Sequence, residues 1–116
     1  MVAFRINHTA RTNKGVAARL PHGPEYELKK LYYETAQAAN PVALAALLKM
    51  VPSTQVLFGS DTPYWTIEPF VQELHSQGLR DEDLSNIEHV TAYGLIPRLK
   101  SASQAVSTVR VQERRG

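Results

Sequence analysis

The chain has 116 residues, a formal net charge of +2 and 43% hydrophobic residues, which is enough for one small domain with a core of its own. It contains no cysteine, so disulfides, thiolate metal sites and cysteine nucleophiles are excluded. The basic residues are scattered and not interleaved with aromatic residues, which argues against nucleic-acid binding. No apolar stretch reaches the length of a membrane span and no signal peptide is recognisable, so a cytoplasmic protein is expected.

The first part of the chain is predicted to be mainly helical. Residues 1–20 have helical character, with an interruption at Asn13-Lys14-Gly15, and Pro21-His22-Gly23-Pro24 is a clear break. One or two helical turns are expected over residues 25–30. The next segment, Leu31–Thr35, is rich in β-forming side chains and predicts a strand.

A well-defined helix is predicted next. Asn40 is a good N-cap, and Pro41 fits the first helical position, where no backbone N–H is needed. Residues 42–50 then place leucines at helical spacing, and Pro52 ends the helix.

A short apolar run, Gln55–Phe58, predicts a second strand that is buried on both faces. Gly59 ends the run, Asp61 follows, and Pro63 blocks a longer ladder. A carboxylate at the C-terminal end of a buried parallel strand is where α/β folds place their chemistry. The residues alone leave two interpretations open, because aspartate is common in turns and Asp61 can instead cap or stabilise one.

Helices are predicted for most of the remaining chain. Thr66 is expected to cap an amphipathic helix that Gly78 ends, and a last helix is expected from Asp81 to Tyr93. Residues 100–116 are expected to form a flexible tail. Strands that alternate with helices imply a parallel sheet, and both strands are expected to be buried on both faces. Two strands cannot make a self-sufficient parallel sheet. The chain is therefore expected to be a piece of a larger α/β protein.

Several segments resemble the C-terminal part of the amidohydrolase-related family, which includes the aminocarboxymuconate-semialdehyde decarboxylase-like enzymes. The resemblance covers roughly residues 17–99 and implies a (β/α)8 TIM barrel, of which this chain supplies about strands seven and eight with their flanking helices. Residues 1–99 are accordingly expected to be a partial barrel segment. The segments are Leu31-Tyr32-Tyr33-Glu34-Thr35-Ala36, Asn40-Pro41, Val56-Leu57-Phe58-Gly59-Ser60-Asp61 and the closing Leu95-Ile96-Pro97-Arg98-Leu99.

The resemblance implies a metal-dependent hydrolase or decarboxylase that acts on a small cyclic or carboxylated substrate. Asp61 matches the family's last-strand aspartate, which is a ligand of a divalent metal, usually zinc, and a proton-transfer group. The family often has aspartate where Glu34 stands, but that position is not a metal ligand. Trp65 follows the Asp61 turn and could line a substrate pocket or cover the barrel rim, and both interpretations remain open.

A complete metal site is not expected within this sequence. The family's metal-binding histidines are expected to lie upstream, and the four histidines present, at positions 8, 22, 75 and 89, lack ligand spacing. Because zinc takes three or four protein ligands, Asp61 is expected to need a missing segment or a partner chain, and the isolated chain is expected to be inactive.

The alternative interpretation is a non-catalytic, self-associating relic or interaction module. A cut barrel exposes two strand edges, and such edges pair readily with another copy. Three valines of the tail could help to cover an edge: Val106, Val109 and Val111.

Overall fold

The structure, a computed structural model, describes residues 2–104. The chain divides into two compact units, with the boundary between Tyr32 and Tyr33. This division does not test the predicted boundary between residues 99 and 100. Residues 98–104 are helical, so the first part of the expected tail has regular structure. The rest of that tail, with its three valines, lies outside the described residues.

Before the helical residues 98–104, the described chain contains seven α-helices and two short strands, with one 3-10 turn and one π-helical turn. In order they are α1 (Val2–Thr12), α2 (Lys14–Arg19), α3 (Pro24–Leu28), β1 (Tyr33–Glu34), α4 (Pro41–Met50), the 3-10 turn Ser53–Gln55, β2 (Val56–Leu57), α5 (Glu68–His75), α6 (Asp81–Ser85), the π-helical turn Asn86–Val90 and α7 (Thr91–Leu95).

The first unit contains the three helices α1 to α3. Asn13 separates α1 from α2, because its Oδ1 accepts hydrogen bonds from the backbone N–H groups of Gly15 at 2.9 Å and Val16 at 3.2 Å. The predicted interruption is thus confirmed. Gly23 precedes α3 with φ +82°, which suits glycine, and Pro24 takes the first helical position as expected of a proline there.

The second unit contains the two strands, which pair in parallel as predicted. Tyr33 lies opposite Val56 and Glu34 opposite Leu57. Both strands are shorter than predicted. The expectation that they are buried on both faces is wrong for β1, whose Glu34 is exposed. A two-stranded sheet offers too little surface for a second covering layer.

The core of the second unit lies between β2 and helices α4, α5 and the π-helical turn. The predicted leucine stripe of α4 is confirmed, since Leu44 is buried and its neighbours at helical spacing pack against the core. The fully buried members of the core are Leu44, Val51, Val56, Leu74 and Ile87.

The outer edge of β2 is partly closed from within the chain. The backbone N–H of Phe58 donates to the carbonyl of Ile87 at 2.7 Å, and the N–H of Val56 donates to the carbonyl of Ser53. Within this chain both donors are therefore occupied. Of the two open strand edges that were expected, this one is partly closed.

Two predicted helix boundaries are wrong. The residue before α5 is Ile67 and makes no side-chain cap bond, so Thr66 does not cap the helix. Gly94 lies inside α7, which ends at Leu95. Helix ends are the least constrained part of a periodic pattern. Across residues 2–104, no helix combines the length and apolar character needed to cross a membrane.

Candidate active site

Two loops meet at the carboxyl edge of the two-stranded sheet. One loop follows β1, and the other, the Asp61 loop (residues 59–67), follows β2. The N–H of Gly59 donates to Oγ1 of Thr35 at 3.1 Å, and Thr35 is buried. Both loops leave from the same edge because the strands are parallel. The hydrogen bond between Gly59 and Thr35 holds them side by side.

Glu34 lies directly against the Asp61 loop. Its Oε2 accepts a hydrogen bond from the N–H of Ala36 at 2.6 Å, and a Cβ at position 59 would overlap the same carboxylate. The absence of a Cβ at Gly59 allows this close approach of the loop to the Glu34 side chain. The Glu34 carboxylate therefore stabilises the turn after β1 through its hydrogen bond with Ala36.

Asp61 is exposed on the same edge and has a left-handed backbone, with φ +59°. Its carbonyl accepts from the N–H of Tyr64 at 3.0 Å, which closes a turn. Its carboxylate Oδ2 accepts from the side-chain Nε2 of Gln37 at 3.2 Å. The structure thus places the predicted catalytic residue at the expected edge, where it reaches solvent.

Hydroxyl groups order the remainder of the Asp61 loop. The hydroxyls of Ser60 and Thr62 are 2.8 Å apart, and Oγ1 of Thr62 donates to the carbonyl of Trp65 at 3.3 Å. Trp65 is 57% exposed and Tyr64 is 83% exposed. The predicted substrate-binding residue therefore presents an aromatic surface in the same loop as Asp61.

A different polar cluster lies at the amino end of β2. Ser53 is buried, and its hydroxyl donates to Oδ1 of Asp83 at 2.6 Å and accepts from Nδ2 of Asn86 at 3.0 Å. The hydroxyl of Thr91 donates to the Ser53 carbonyl at 3.3 Å. Among the described residues, every buried side-chain nitrogen and oxygen has a hydrogen-bond partner. We refer to Ser53, Asp83, Asn86 and Thr91 as the Ser53 network.

Asp83 also binds Arg80, whose Nε donates to its Oδ2 at 2.8 Å. The hydrogen bonds from Arg80 and Ser53 lower the pKa of Asp83, while Asp83 raises the pKa of Arg80. The Asp83 side chain is 18% exposed and so belongs to the packed structure, not to a solvated helix face. A groove of about 320 Å³ lies beside this network. Since its polar groups bind one another, the cluster is structural.

Tyr33 packs against the core of the second unit, as expected for a strand tyrosine. Burial raises the pKa of its hydroxyl, so it stays protonated and serves as a packing residue. Its neighbour Tyr32 is half exposed.

Three of the four histidine side chains have a described contact, in each case with a residue other than Asp61. His75 pairs with Glu88 at 2.6 Å, the ring of His22 lies 4.8 Å from that of Tyr26, and His89 stacks near Tyr93. Within the described part of the chain, no three histidine, aspartate or glutamate side chains are grouped so that they could hold a metal ion. These residues do not fit a complete zinc site by themselves.

Part of the chain is similar to a known decarboxylase. Over 75 residues it is 36% identical to 6-methylsalicylic acid decarboxylase from Penicillium expansum. The matched stretch is 62% of this chain and 23% of that enzyme, so the chain spans about a quarter of the length of this relative. Comparison with known protein families and with solved structures gives no match. Decarboxylases are one of the two enzyme classes that the sequence resemblance implied, so the match supports a decarboxylase-like origin.

Sequence reasoning missed two contacts of this edge, those of Gln37 and Glu34. Parallel pairing of the strands was predicted, and it implies that the residues just after each strand lie close together. Parallel pairing therefore indicates that the residues just after β1 are candidates for contacts with the Asp61 loop. No sequence signal indicates that Gln37 adopts a left-handed backbone, since asparagine and glycine are the usual residues there.

Proposed function

We propose that the chain is the C-terminal segment of a (β/α)8-barrel enzyme of the decarboxylase or hydrolase type, with β1 and β2 as strands seven and eight. The observation that carries the proposal is the 36% identity over 75 residues to a 6-methylsalicylic acid decarboxylase. Support also comes from the parallel pairing of the strands and from Asp61 at their carboxyl edge. The same similarity favours decarboxylation over hydrolysis.

Asp61 is the proposed catalytic residue. In a decarboxylation the bond between a substrate carbon and its carboxylate breaks, the electron pair stays on that carbon, and a proton takes the place of CO2. A carboxylate beside the carbon can take a proton from a water molecule and pass it to that carbon, which returns the carboxylate to its ionised form. The hydroxide that remains combines with the released CO2 as bicarbonate. Asp61 is suited to the role because it is exposed and its known side-chain contact is a single hydrogen bond from a neutral amide.

Trp65 is the proposed substrate-binding residue. Its ring is 57% exposed and belongs to the loop that holds Asp61. An exposed indole can stack on an aromatic or other cyclic substrate while the carboxylate acts on the substrate's substituent. The substrate class that fits both residues is a small ring that bears a carboxylate.

A divalent metal, most commonly zinc in such sites, is proposed to bind only when other residues complete the site. Asp61 would be one ligand, with the rest supplied by another segment or a partner chain. The metal, when bound, would polarise the substrate carboxylate or a water molecule. The isolated chain is accordingly proposed to be inactive.

Complementation tests the proposal. The chain is combined with the portion of the Penicillium enzyme outside the matched stretch, and CO2 release from 6-methylsalicylic acid is measured. Activity is expected with the wild-type chain and is expected to fall by at least about 100-fold with Asp61→Asn. Asp81→Asn changes an exposed aspartate at the start of α6 and should leave activity unchanged. Equal activity of Asp61→Asn and the wild type would exclude a catalytic role for Asp61.

Self-association is a second candidate function, favoured by exposed apolar side chains near the end of α7. Leu95, Ile96 and Leu99 are 44%, 42% and 40% exposed. Light scattering over a range of concentrations would detect a dimer or larger species. Leu99→Glu should shift the protein to monomer, whereas Val42→Glu, on the exposed side of α4, should not. A wild-type monomer at all concentrations would contradict this candidate.

A further inference from the structure

Gln37 and Asp61 are the two non-glycine residues with positive φ among the described residues, at +55° and +59°. Left-handed backbone is unfavourable for a glutamine, because its Cβ crowds the following carbonyl. Such residues cluster at functional sites, where the surrounding structure holds them in place. Here the two belong to different loops, 24 residues apart in sequence, and they are hydrogen-bonded to each other.

The loops that hold the two residues are fixed close to the strand ends. Buried Thr35 accepts the bond from Gly59, and the Glu34 carboxylate lies against the same glycine. Gln37 lies two residues after Thr35, and Asp61 lies two residues after Gly59. Their short distance to the fixed points makes the relative position of their Cα atoms well determined.

The side chains themselves are exposed, so packing does not hold the Asp61 carboxylate in one rotamer. Instead, the carboxylate is oriented by the hydrogen bond of 3.2 Å that Nε2 of Gln37 donates to Oδ2 of Asp61. The amide is neutral, and it therefore orients the carboxylate without cancelling its charge. The bond uses one oxygen and leaves Oδ1 as the second acceptor of the carboxylate.

We propose that Gln37 is a positioning residue that orients the Asp61 carboxylate for its role in the active site. The catalytic part of this inference rests on the proposed function, whereas the orientation itself is a property of this chain. Gln37 combines the left-handed backbone with the side-chain hydrogen bond that joins the two loops. A catalytic group must be held close to its productive geometry, which makes a fixed rotamer valuable.

Nuclear magnetic resonance on the whole chain tests the orientation. Three-bond couplings across χ1 of Asp61 are measured in the wild type and in Gln37→Gly. Glycine accepts positive φ without strain, so this variant can keep the left-handed backbone while it loses the side chain and its amide. A single staggered rotamer is expected in the wild type, and averaging over rotamers is expected in Gln37→Gly.

A reciprocal measurement keeps the inference testable if Gln37→Gly does not fold. In Asp61→Gly the side-chain amide resonances of Gln37 are expected to shift, because their acceptor is lost. The amide of Gln72, on the exposed surface of α5, is the internal control and should not shift. An averaged Asp61 rotamer in the wild type, an unchanged rotamer in Gln37→Gly, or an unchanged Gln37 amide in Asp61→Gly would each overturn the inference.

The experiment requires neither substrate nor metal, so its outcome is independent of the complementation assay. An ordered Asp61 rotamer without decarboxylation would contradict the proposed function alone. Activity together with a disordered rotamer would contradict the positioning role alone. In the complemented enzyme, the positioning role further predicts that Gln37→Gly lowers kcat more than it raises KM.

Discussion

The two ends of strand β2 contain similar polar residues that do different work. At the amino end, the Ser53 network is buried and its members bind one another. At the carboxyl end, Gln37 and Asp61 are exposed, have strained backbones and share one hydrogen bond. Buried polar groups that are fully paired contribute to stability, whereas exposed ones in strained positions are free to serve binding or catalysis. The difference separates the end of the sheet whose polar residues are structural from the end at which the proposed site lies.

Replacement of a buried serine at each end tests this comparison most strongly. Ser53→Ala removes the partner of both Asp83 and the buried Asn86 amide, which costs about 2–3 kcal/mol of unfolding free energy. Ser60→Ala removes a bond to the exposed Thr62, whose hydroxyl can bind water instead, and costs less than about 1 kcal/mol. Urea unfolding of both variants measures the difference. An equal or larger cost for Ser60→Ala would show that the carboxyl end is the structural one.

The next largest expected effect on the free energy of unfolding comes from a substitution where the two loops approach closely. Gly59→Ala places a methyl group against the Glu34 carboxylate, and we expect a loss of about 1–2 kcal/mol. Gly94→Ala is the control, because no atom lies within 4 Å of its new Cβ and alanine favours a helix by about 0.5–1 kcal/mol.

A double-mutant cycle identifies the source of the Gly59 effect. If the carboxylate is the obstacle, Gly59→Ala should cost less in a Glu34→Ala background than in the wild type. An unchanged cost would place the conflict with the backbone at Ala36, which lies 3.2 Å from the added Cβ. Either result measures how tightly the two loops are joined at this edge.

The sequence allowed the parallel strand pair, the α4 stripe and the Asn40 cap to be predicted, because each depends on local spacing. It also placed Asp61 at the carboxyl edge. The Ser53 network was not predictable, since its other members lie 30 to 38 residues from Ser53 and meet it only through tertiary packing. Gln37 was missed for the same reason, and its positive φ goes against local propensity.

The pH dependence of stability provides a smaller test at the amino end. The pKa of Asp83 is lowered in the folded protein, chiefly by Arg80 and then by Ser53. Its stabilising contribution is therefore present above the pKa of the unfolded chain, near 4, and is lost as pH falls through the folded value. Because the Arg80 side chain is 77% exposed, solvent screens the pair and we expect only a small contribution to the free energy of unfolding.

The matched variants for this test are Asp83→Asn and Asp81→Asn. Unfolding free energies are compared with those of the wild type from about pH 6 down to about pH 3. The difference between the wild type and Asp83→Asn should shrink as the pH falls, while the difference for Asp81→Asn should stay near zero. A difference that grows at low pH would contradict the lowered pKa of Asp83.

The smallest expected effect on stability is that of Asp61→Asn, and it distinguishes the two interpretations of this residue. Asparagine accepts a left-handed backbone and keeps an oxygen that can accept from Gln37, so unfolding free energy should change by less than about 0.5 kcal/mol. Asp61→Val, with a β-branched side chain at φ +59°, should cost about 1–2 kcal/mol. If the asparagine variant is as unstable as the valine variant, the charge of Asp61 stabilises the turn and the residue is structural. If it is as stable as the wild type, the turn needs only the left-handed backbone, and the carboxylate at this position is explained by chemistry instead of by folding.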